Sequence, residues 1–182
     1  MSKIGRKPID IGSVQVDIKG QEVHYKGKKH TGVYILPPEL EAKVDGKKLT
    51  LAAKKSAIDA SAVNTVWGLH RALLANAIKG ADVGFEQQLQ INGLGFKAAV
   101  SGNKVVFSLG FSHKIDFVLP KDVTMDVDKT GQNLTVKSYN RELVGHVCSK
   151  IKALRPPEPY KGTGIKLASE VIRRKAGKTK AA

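Results

Sequence analysis

The sequence has few cysteines, few aromatic residues and few acidic residues for its length. Cys148 is the only cysteine among 182 residues, so an internal disulfide is excluded and a reducing compartment is natural. No apolar run approaches the roughly 20 residues that a membrane-spanning helix needs, and the first residues lack the apolar stretch of a secretory signal. These absences predict a cytoplasmic protein that makes no membrane contact.

Signals for catalysis, metal binding or cofactor binding are also scarce. The five histidines form no i,i+4 pair and no HExxH motif, and a lone cysteine supplies no thiolate cluster. The glycines of residues 162–166 lack the spacing of a phosphate-binding P-loop. We therefore expect no enzyme activity, no metal, no cofactor and no small-molecule substrate.

Basic residues, by contrast, are abundant and unevenly placed. The chain carries 31 Lys and Arg against 16 Asp and Glu, a net charge of +15. Residues 151–182 alone hold nine basic residues against two acidic ones. Such an excess favours a polyanionic partner, since without one it destabilises the compact state by self-repulsion.

The first part of the chain reads as antiparallel strands followed by one helix. Apolar residues alternate at residues 14–18, 23–25 and 33–35, with glycines between the runs, and Asp45-Gly46 joins residues 42–45 to 48–52 as a tight hairpin. From Ser61 the apolar spacing changes to three and four, which predicts a helix. Asp59 or Ser61 could cap its start, and Gly80 lies where it would end.

The second half repeats this plan. The segment Ile35-Leu36-Pro37 matches Val118-Leu119-Pro120, and the helical Val63 and Val66 match Val144 and Val147 at an offset of 81 residues. The shared order predicts an α+β fold built from two tandem copies of an antiparallel β-sheet packed with one helix. Residues 1–82 form the first copy with a basic N-terminal arm, and residues 83–182 form the second.

The two copies differ in the segments that come after their helices. Residues 154–165, L-R-P-P-E-P-Y-K-G-T-G-I, contain three prolines within four positions and two glycines, and we call them the strap. The prolines should end the preceding helix and leave the strap extended. A basic tail continues from residue 165 to 182, with Val171 and Ile172 in a short helix. Cations beside an aromatic ring on a stiff segment favour RNA binding, in which Tyr160 packs on a sugar or base.

A competing interpretation comes from residues 93–96, G-L-G-F. This is the carboxylate-binding loop of PDZ domains, and it would make the protein a peptide-binding adaptor. The same four residues are also typical of a glycine-rich junction between two antiparallel strands. The PDZ interpretation explains neither the strap nor the tail.

The motif P-E-P-Y-K-G-T-G-I at residues 157–165 closely resembles the C-terminal signature of the bacterial-type sixth protein of the large ribosomal subunit, the universal ribosomal protein six family. The segments I-G-R-K-P-I, G-L-G-F-K-A, L-G-F-S-H and V-I-R-R-K-A-G-K also look like that family, whereas Thr163 stands where it usually has lysine. The resemblance implies a duplicated α+β domain, with the G-L-G-F segment in the second sheet. It also implies a non-catalytic protein that binds 23S-type ribosomal RNA, mainly through the C-terminal domain. That protein would lie at the stalk base, near the translation-factor docking region and neighbouring large-subunit proteins, in a bacterial or organellar ribosome.

The predicted RNA-binding residues lie in the strap, in the tail and in two loops of the second copy. Cations would contact phosphates, glycines would allow close approach, and Tyr160 would pack on RNA. The set comprises Lys97, His113, Lys114, Arg155, Tyr160, Lys161, Gly162, Gly164, Lys166, Arg173, Arg174, Lys175 and Lys178.

Overall fold

The computed structural model describes residues 2–54 and 60–177, and within them the chain forms thirteen strands and two helices. The chain divides into two compact units, Met1–Gly84 with Tyr139–Arg141, and Phe85–Ser138 with Glu142–Ala182. In the first unit the elements are β1 (Ile9–Asp10), β2 (Gln15–Lys19), β3 (Glu22–Lys26), β4 (Thr31–Ile35), β5 (Leu40–Asp45), β6 (Lys48–Ala53) and α1 (Ala60–Asp82). The later elements are β7 (Phe85–Asn92), β8 (Lys97–Ser101), β9 (Lys104–Ser108), β10 (Ile115–Val118), β11 (Val123–Val127), β12 (Asn133–Ser138), α2 (Arg141–Leu154) and β13 (Gly164–Leu167).

The first unit packs α1 against two small antiparallel sheets, with strand orders β1-β6-β5 and β2-β3-β4. Period-two alternation places Val23 and Leu49 in the core, while α1 contributes Leu74 from its apolar stripe. Trp67 of α1 is buried and its indole N–H donates to the Leu51 carbonyl oxygen at 3.0 Å. The helix is thereby fixed to the central strand of its sheet.

The second unit has the same plan with one more strand. Its sheets have the orders β11-β12-β7-β13 and β10-β9-β8, and α2 packs on them through Val144, Val147, Cys148 and Ile151. The order β5-β6-β1 of the first unit corresponds to β11-β12-β7 of the second. The predicted α+β fold with two tandem sheet-and-helix copies is therefore confirmed. Strand β13, which extends the second sheet beyond β7, has no counterpart among the described residues of the first unit.

The predicted C-terminal end of α1 was wrong, and one of the two predicted caps at its start is excluded. The helix continues through Gly80 to Asp82, because Ala81 is buried and its carbonyl oxygen accepts the Lys29 backbone N–H at 2.9 Å. The left-handed residue that ends the helix is Gly84, with φ +80°. Ser61 is already helical and so is not the N-cap, whereas Asp59 lies outside the described residues. The short helix predicted at Val171 and Ile172 is also absent, since residues 171–177 form no regular element.

Candidate nucleic-acid interface

The strap forms a closed loop between α2 and β13. The Ile165 N–H donates to the Arg155 carbonyl oxygen at 2.8 Å and closes the base of the loop. Nearer the tip, the Glu158 N–H donates to the Thr163 carbonyl at 2.9 Å, and the Gly162 N–H donates to the Glu158 carbonyl at 2.9 Å. The prolines end α2 at Leu154, as the sequence predicts. The prediction of an extended strap was wrong, because these hydrogen bonds fold the segment back on itself.

Both strap glycines have a positive φ that L side chains rarely adopt, and Gly164 is also closely packed within the loop. Gly164 has φ +136°, and a Cβ there would lie 2.6 Å from the Pro156 carbonyl oxygen. Gly162 has φ +73°, and a Cβ there would lie 3.3 Å from the Arg174 guanidinium. The close approach that glycine allows is thus observed within the protein, where it holds the two sides of the strap together and lets the tail lie against it.

Residues 164–167, which begin within the strap and continue past it, complete the second sheet. In β13, Ile165 pairs with Ile91 of β7 and is fully buried in the core. Lys166 pairs with Gln90 and, because side chains alternate along a strand, points to the opposite face from Ile165. Lys166 is half-buried, so its position is set by the sheet and not by the loop.

The tip of the strap carries an exposed ring and an exposed cation. Tyr160 is 54% exposed and Lys161 next to it is also exposed. The tail returns to this tip, since the Lys175 backbone N–H donates to the Pro159 carbonyl at 2.9 Å. With Arg174 against Gly162, this hydrogen bond brings the predicted tail cations to the strap.

The two acidic residues near these cations have other partners. Glu158 accepts a hydrogen bond from the Thr163 hydroxyl at 3.1 Å. Glu170 accepts two from the Lys152 ammonium, at 2.7 and 2.8 Å, and these hydrogen bonds hold the pKa of Glu170 below its usual value. Within the described part of the chain, Lys161, Arg173 and Lys175 form no ion pair. Their charge is therefore available to a polyanion.

Arg155 differs from the other cations because it is engaged inside the protein. Its Nη1 donates to the Leu109 carbonyl oxygen at 2.6 Å. The guanidinium carbon lies 4.9 Å from the ring centroid of Phe96 and 5.0 Å from that of Phe111. The side chain is half-buried, so Arg155 fixes the base of the strap to the loop at residues 109–114.

The remaining predicted residues lie in the second unit, away from the strap in sequence. Lys97 is the exposed first residue of β8, and Lys114 is exposed directly before β10. His113 is exposed in the loop at residues 109–114, with its ring 6.3 Å from that of Phe111 and tilted from it by 24°. Lys178 lies outside the described residues.

Sequence reasoning missed Phe96 and Phe111 as part of this site. Phe111 is 45% exposed, although phenylalanine is among the residue types that are most often buried. The available signal was an aromatic residue inside an otherwise polar turn, G-F-S-H, in a chain with only five phenylalanines. Residues 93–96, the G-L-G-F segment, form the turn between β7 and β8 and place Phe96 under Arg155, whereas the resemblance implied a position within the sheet.

The described part of the chain shows neither a metal-binding cluster nor a membrane-spanning helix. No three His, Cys, Asp or Glu side chains converge there as the ligands of a metal ion would. Neither of its helices is long and apolar enough to cross a bilayer.

Comparison with known proteins agrees with the strap motif. The family model described as Ribosomal protein L6 matches residues 92–167, from the end of β7 to the end of β13. The chain is 42% identical over 180 residues to the large ribosomal subunit protein uL6 of Desulfatibacillum aliphaticivorans, covering 98% of this chain and 99% of that protein. It is 43% identical over 183 residues to uL6 of Anaeromyxobacter sp. strain Fw109-5, covering all of both chains, and 41% identical over 181 residues to uL6 of Caulobacter vibrioides strain NA1000, covering 99% and 100%.

These matches span both units and so favour the ribosomal interpretation over a peptide-binding adaptor. Three observations agree with each other. The fold consists of two α+β copies, the strap contains the P-E-P-Y-K-G motif, and the identity to these relatives exceeds 40% along the whole chain. The chain belongs to the uL6 family of large ribosomal subunit proteins.

Proposed function

We propose that the protein is a non-catalytic structural component of the large ribosomal subunit that binds 23S-type ribosomal RNA through its second unit. The observation that carries this proposal is the hydrogen bond from the Lys175 N–H to the Pro159 carbonyl at 2.9 Å. It joins the tail to the strap tip, and so brings exposed cationic residues of the tail near the exposed Tyr160 and Lys161. Folded RNA presents phosphates, sugars and unpaired bases together, and such a surface can contact all three.

The roles of the individual residues follow from their exposure. Lys161, Arg173 and Lys175 are exposed and contact phosphates, while Arg174 contacts phosphate from its place beside Gly162. Tyr160 packs on a sugar or base. Lys97, Lys114 and Lys166 add phosphate contacts on neighbouring parts of the unit, and Lys178 does so from the end of the tail. Gly162 and Gly164 act indirectly, because they shape the loop that presents these side chains.

Family membership supports a position in the large subunit at the stalk base, near the site where translation factors dock. Neighbouring large-subunit proteins are then the protein partners, and the cytoplasmic or organellar ribosome is the location. The first unit has fewer of the predicted contacts and faces protein or solvent.

The test is the salt dependence of binding to large-subunit ribosomal RNA transcripts. Each Lys or Arg that neutralises a phosphate adds about one unit to the slope of log K against log salt concentration. Lys161→Ala with Arg173→Ala should therefore weaken binding and flatten the slope by about 2 units. The matched control is Lys19→Ala with Lys48→Ala, which removes two exposed cations from strands of the first unit.

The proposal predicts an unchanged slope for the control pair. An equal slope for the Lys161 and Arg173 double variant and the unmodified protein would contradict the assignment of these residues. Absence of salt-sensitive binding by the unmodified protein, together with failure to co-sediment with large subunits, would overturn the proposed function itself.

A further inference from the structure

Three aromatic rings of the second unit and the guanidinium of Arg155 form a continuous stack. The Arg155 guanidinium carbon lies 4.9 Å from the Phe96 centroid and 5.0 Å from the Phe111 centroid. The His113 ring continues from Phe111, with centroids 6.3 Å apart and planes 24° from parallel. These residues come from three separate segments of the chain, so the stack depends on the tertiary fold.

The stack is built into the fold at its inner end. Phe96 packs against the hydrophobic core of the second unit, and the Arg155 Nη1 is fixed by its 2.6 Å hydrogen bond to the Leu109 carbonyl. Gly110 has φ +76°, and a Cβ there would lie 2.7 Å from the Phe96 ring and 3.4 Å from the Arg155 Nη1. Only glycine lets the loop backbone come this close to the stack.

At the other end the stack is open to solvent. Phe111 is 45% exposed, and His113 and Lys114 beyond it are exposed. Of the three rings, Phe96 is the one that packs against the core of the second unit. Two adjacent rings are therefore available to a flat ligand. The exposed Lys114 next to them favours a ligand that also carries a negative charge.

We propose that Phe111 and His113 form a platform on which an unpaired base of ribosomal RNA stacks, with Arg155 as the positioning residue beneath it. This inference rests on the proposed function and names the RNA feature that the second unit recognises. Every nucleobase has a π face that stacks on such rings, and Lys114 lies next in sequence to meet the phosphate of the same nucleotide. Arg155 acts through the two phenylalanine rings and does not itself contact phosphate.

The experiment measures binding of large-subunit ribosomal RNA transcripts by His113→Ala, with His113→Phe as its matched control. Loss of one base–ring stack should weaken binding about 5-fold to 150-fold at fixed salt. Because stacking releases no counterions, His113→Ala should leave the slope of log K against log salt unchanged. His113→Phe keeps a flat ring and should bind within about 3-fold of the unmodified protein.

A second variant, Arg155→Lys, tests the positioning role. It keeps the charge but loses the planar group that lies against both phenylalanine rings. We expect weaker RNA binding with an unchanged salt slope, whereas a direct Arg155–phosphate contact would be largely retained by lysine. A urea unfolding curve for each variant shows whether the protein is folded under the binding conditions.

The outcomes separate this inference from the proposed function. If the unmodified protein binds with a steep salt slope and His113→Ala binds equally well, the platform is refuted and the RNA-binding function stands. If His113→Phe is as weak as His113→Ala, the histidine acts by a hydrogen bond or charge, and stacking is again refuted. If the unmodified protein does not bind ribosomal RNA, the proposed function fails first.

Discussion

Replacing Gly164 with alanine should destabilise the second unit more than the same change at any open glycine. Gly164 has φ +136°, a conformation in which an L residue is strained by about 1–3 kcal/mol. The added Cβ would also lie 2.6 Å from the Pro156 carbonyl oxygen and 2.8 Å from the Pro157 Cα. Both neighbours are backbone atoms of a proline pair, so no side chain can rotate away.

Relief of this collision requires the strap to open at its base. Overpacking of this kind typically costs about 1–3 kcal/mol, so the total for Gly164→Ala is about 2–6 kcal/mol. Opening would also disturb the Ile165–Arg155 hydrogen bond of 2.8 Å and the fully buried Ile165 beside it. A typical domain has only about 5–15 kcal/mol of stability, so the change is large.

The assay is urea unfolding at pH 7, with Gly102→Ala as the control in the same unit. Gly102 also has positive φ, +62°, but nothing lies within 4 Å of its Cβ position. Its replacement should therefore cost only the backbone strain of about 1–2 kcal/mol. If Gly164→Ala is no more destabilising than Gly102→Ala, the closed strap does not require the close approach of Gly164 to Pro156.

Three further predictions concern single side chains. The unfolding free energy of Glu170→Gln should be lower than that of the unmodified protein at pH 7. The difference should shrink below about pH 4.5, because a carboxyl group with a lowered pKa in the folded state stabilises the fold only while it is ionised. Urea unfolding curves at pH 7 and pH 3 measure this difference, and a constant difference would contradict the prediction. Burial raises the pKa of Cys148 to about 11, so the buried thiol is almost entirely protonated at pH 8. An aromatic disulfide reagent at pH 8 should therefore label Cys148 only as fast as the protein unfolds. Rapid labelling of the folded protein would show that α2 opens locally. Thr163→Lys places a cation at the strap tip and should steepen the salt slope of RNA binding by about 1 unit; an unchanged slope would indicate that Glu158 neutralises it.

Local patterns were sufficient for most of the fold. Alternation with period two and the Asp45-Gly46 turn place the strands of the first unit, because these features depend on neighbouring residues only. The end of α1 was missed because Ala81 is buried and its carbonyl binds Lys29, a contact from a distant part of the chain. Strand β13 was missed for the same reason, since its four residues pair with β7 and show no long alternation of their own.

The candidate site, like the fold, could be predicted only where it depends on local sequence. Composition was enough to identify the strap and the basic tail, because proline, glycine and charge act locally. It could not show that Arg155 lies between Phe96 and Phe111, since these rings reach it only through the fold. Nor could it show the hydrogen bond from Lys175 to Pro159 that brings the tail to the strap. The assignment of individual residues to RNA contacts stays a prediction.

The order of strands in the second sheet has a consequence for synthesis. Strand β7 lies between β12 and β13, both of which come many residues later in the chain, so its two edges are covered late. A growing chain that has emerged only as far as α2 cannot yet bury Ile165 or close the loop that displays Tyr160 and Lys161. We therefore expect protease resistance of the second unit to appear only in nascent chains that extend past Leu167. The proposed RNA-binding surface would then be assembled last, after the rest of the second unit has formed.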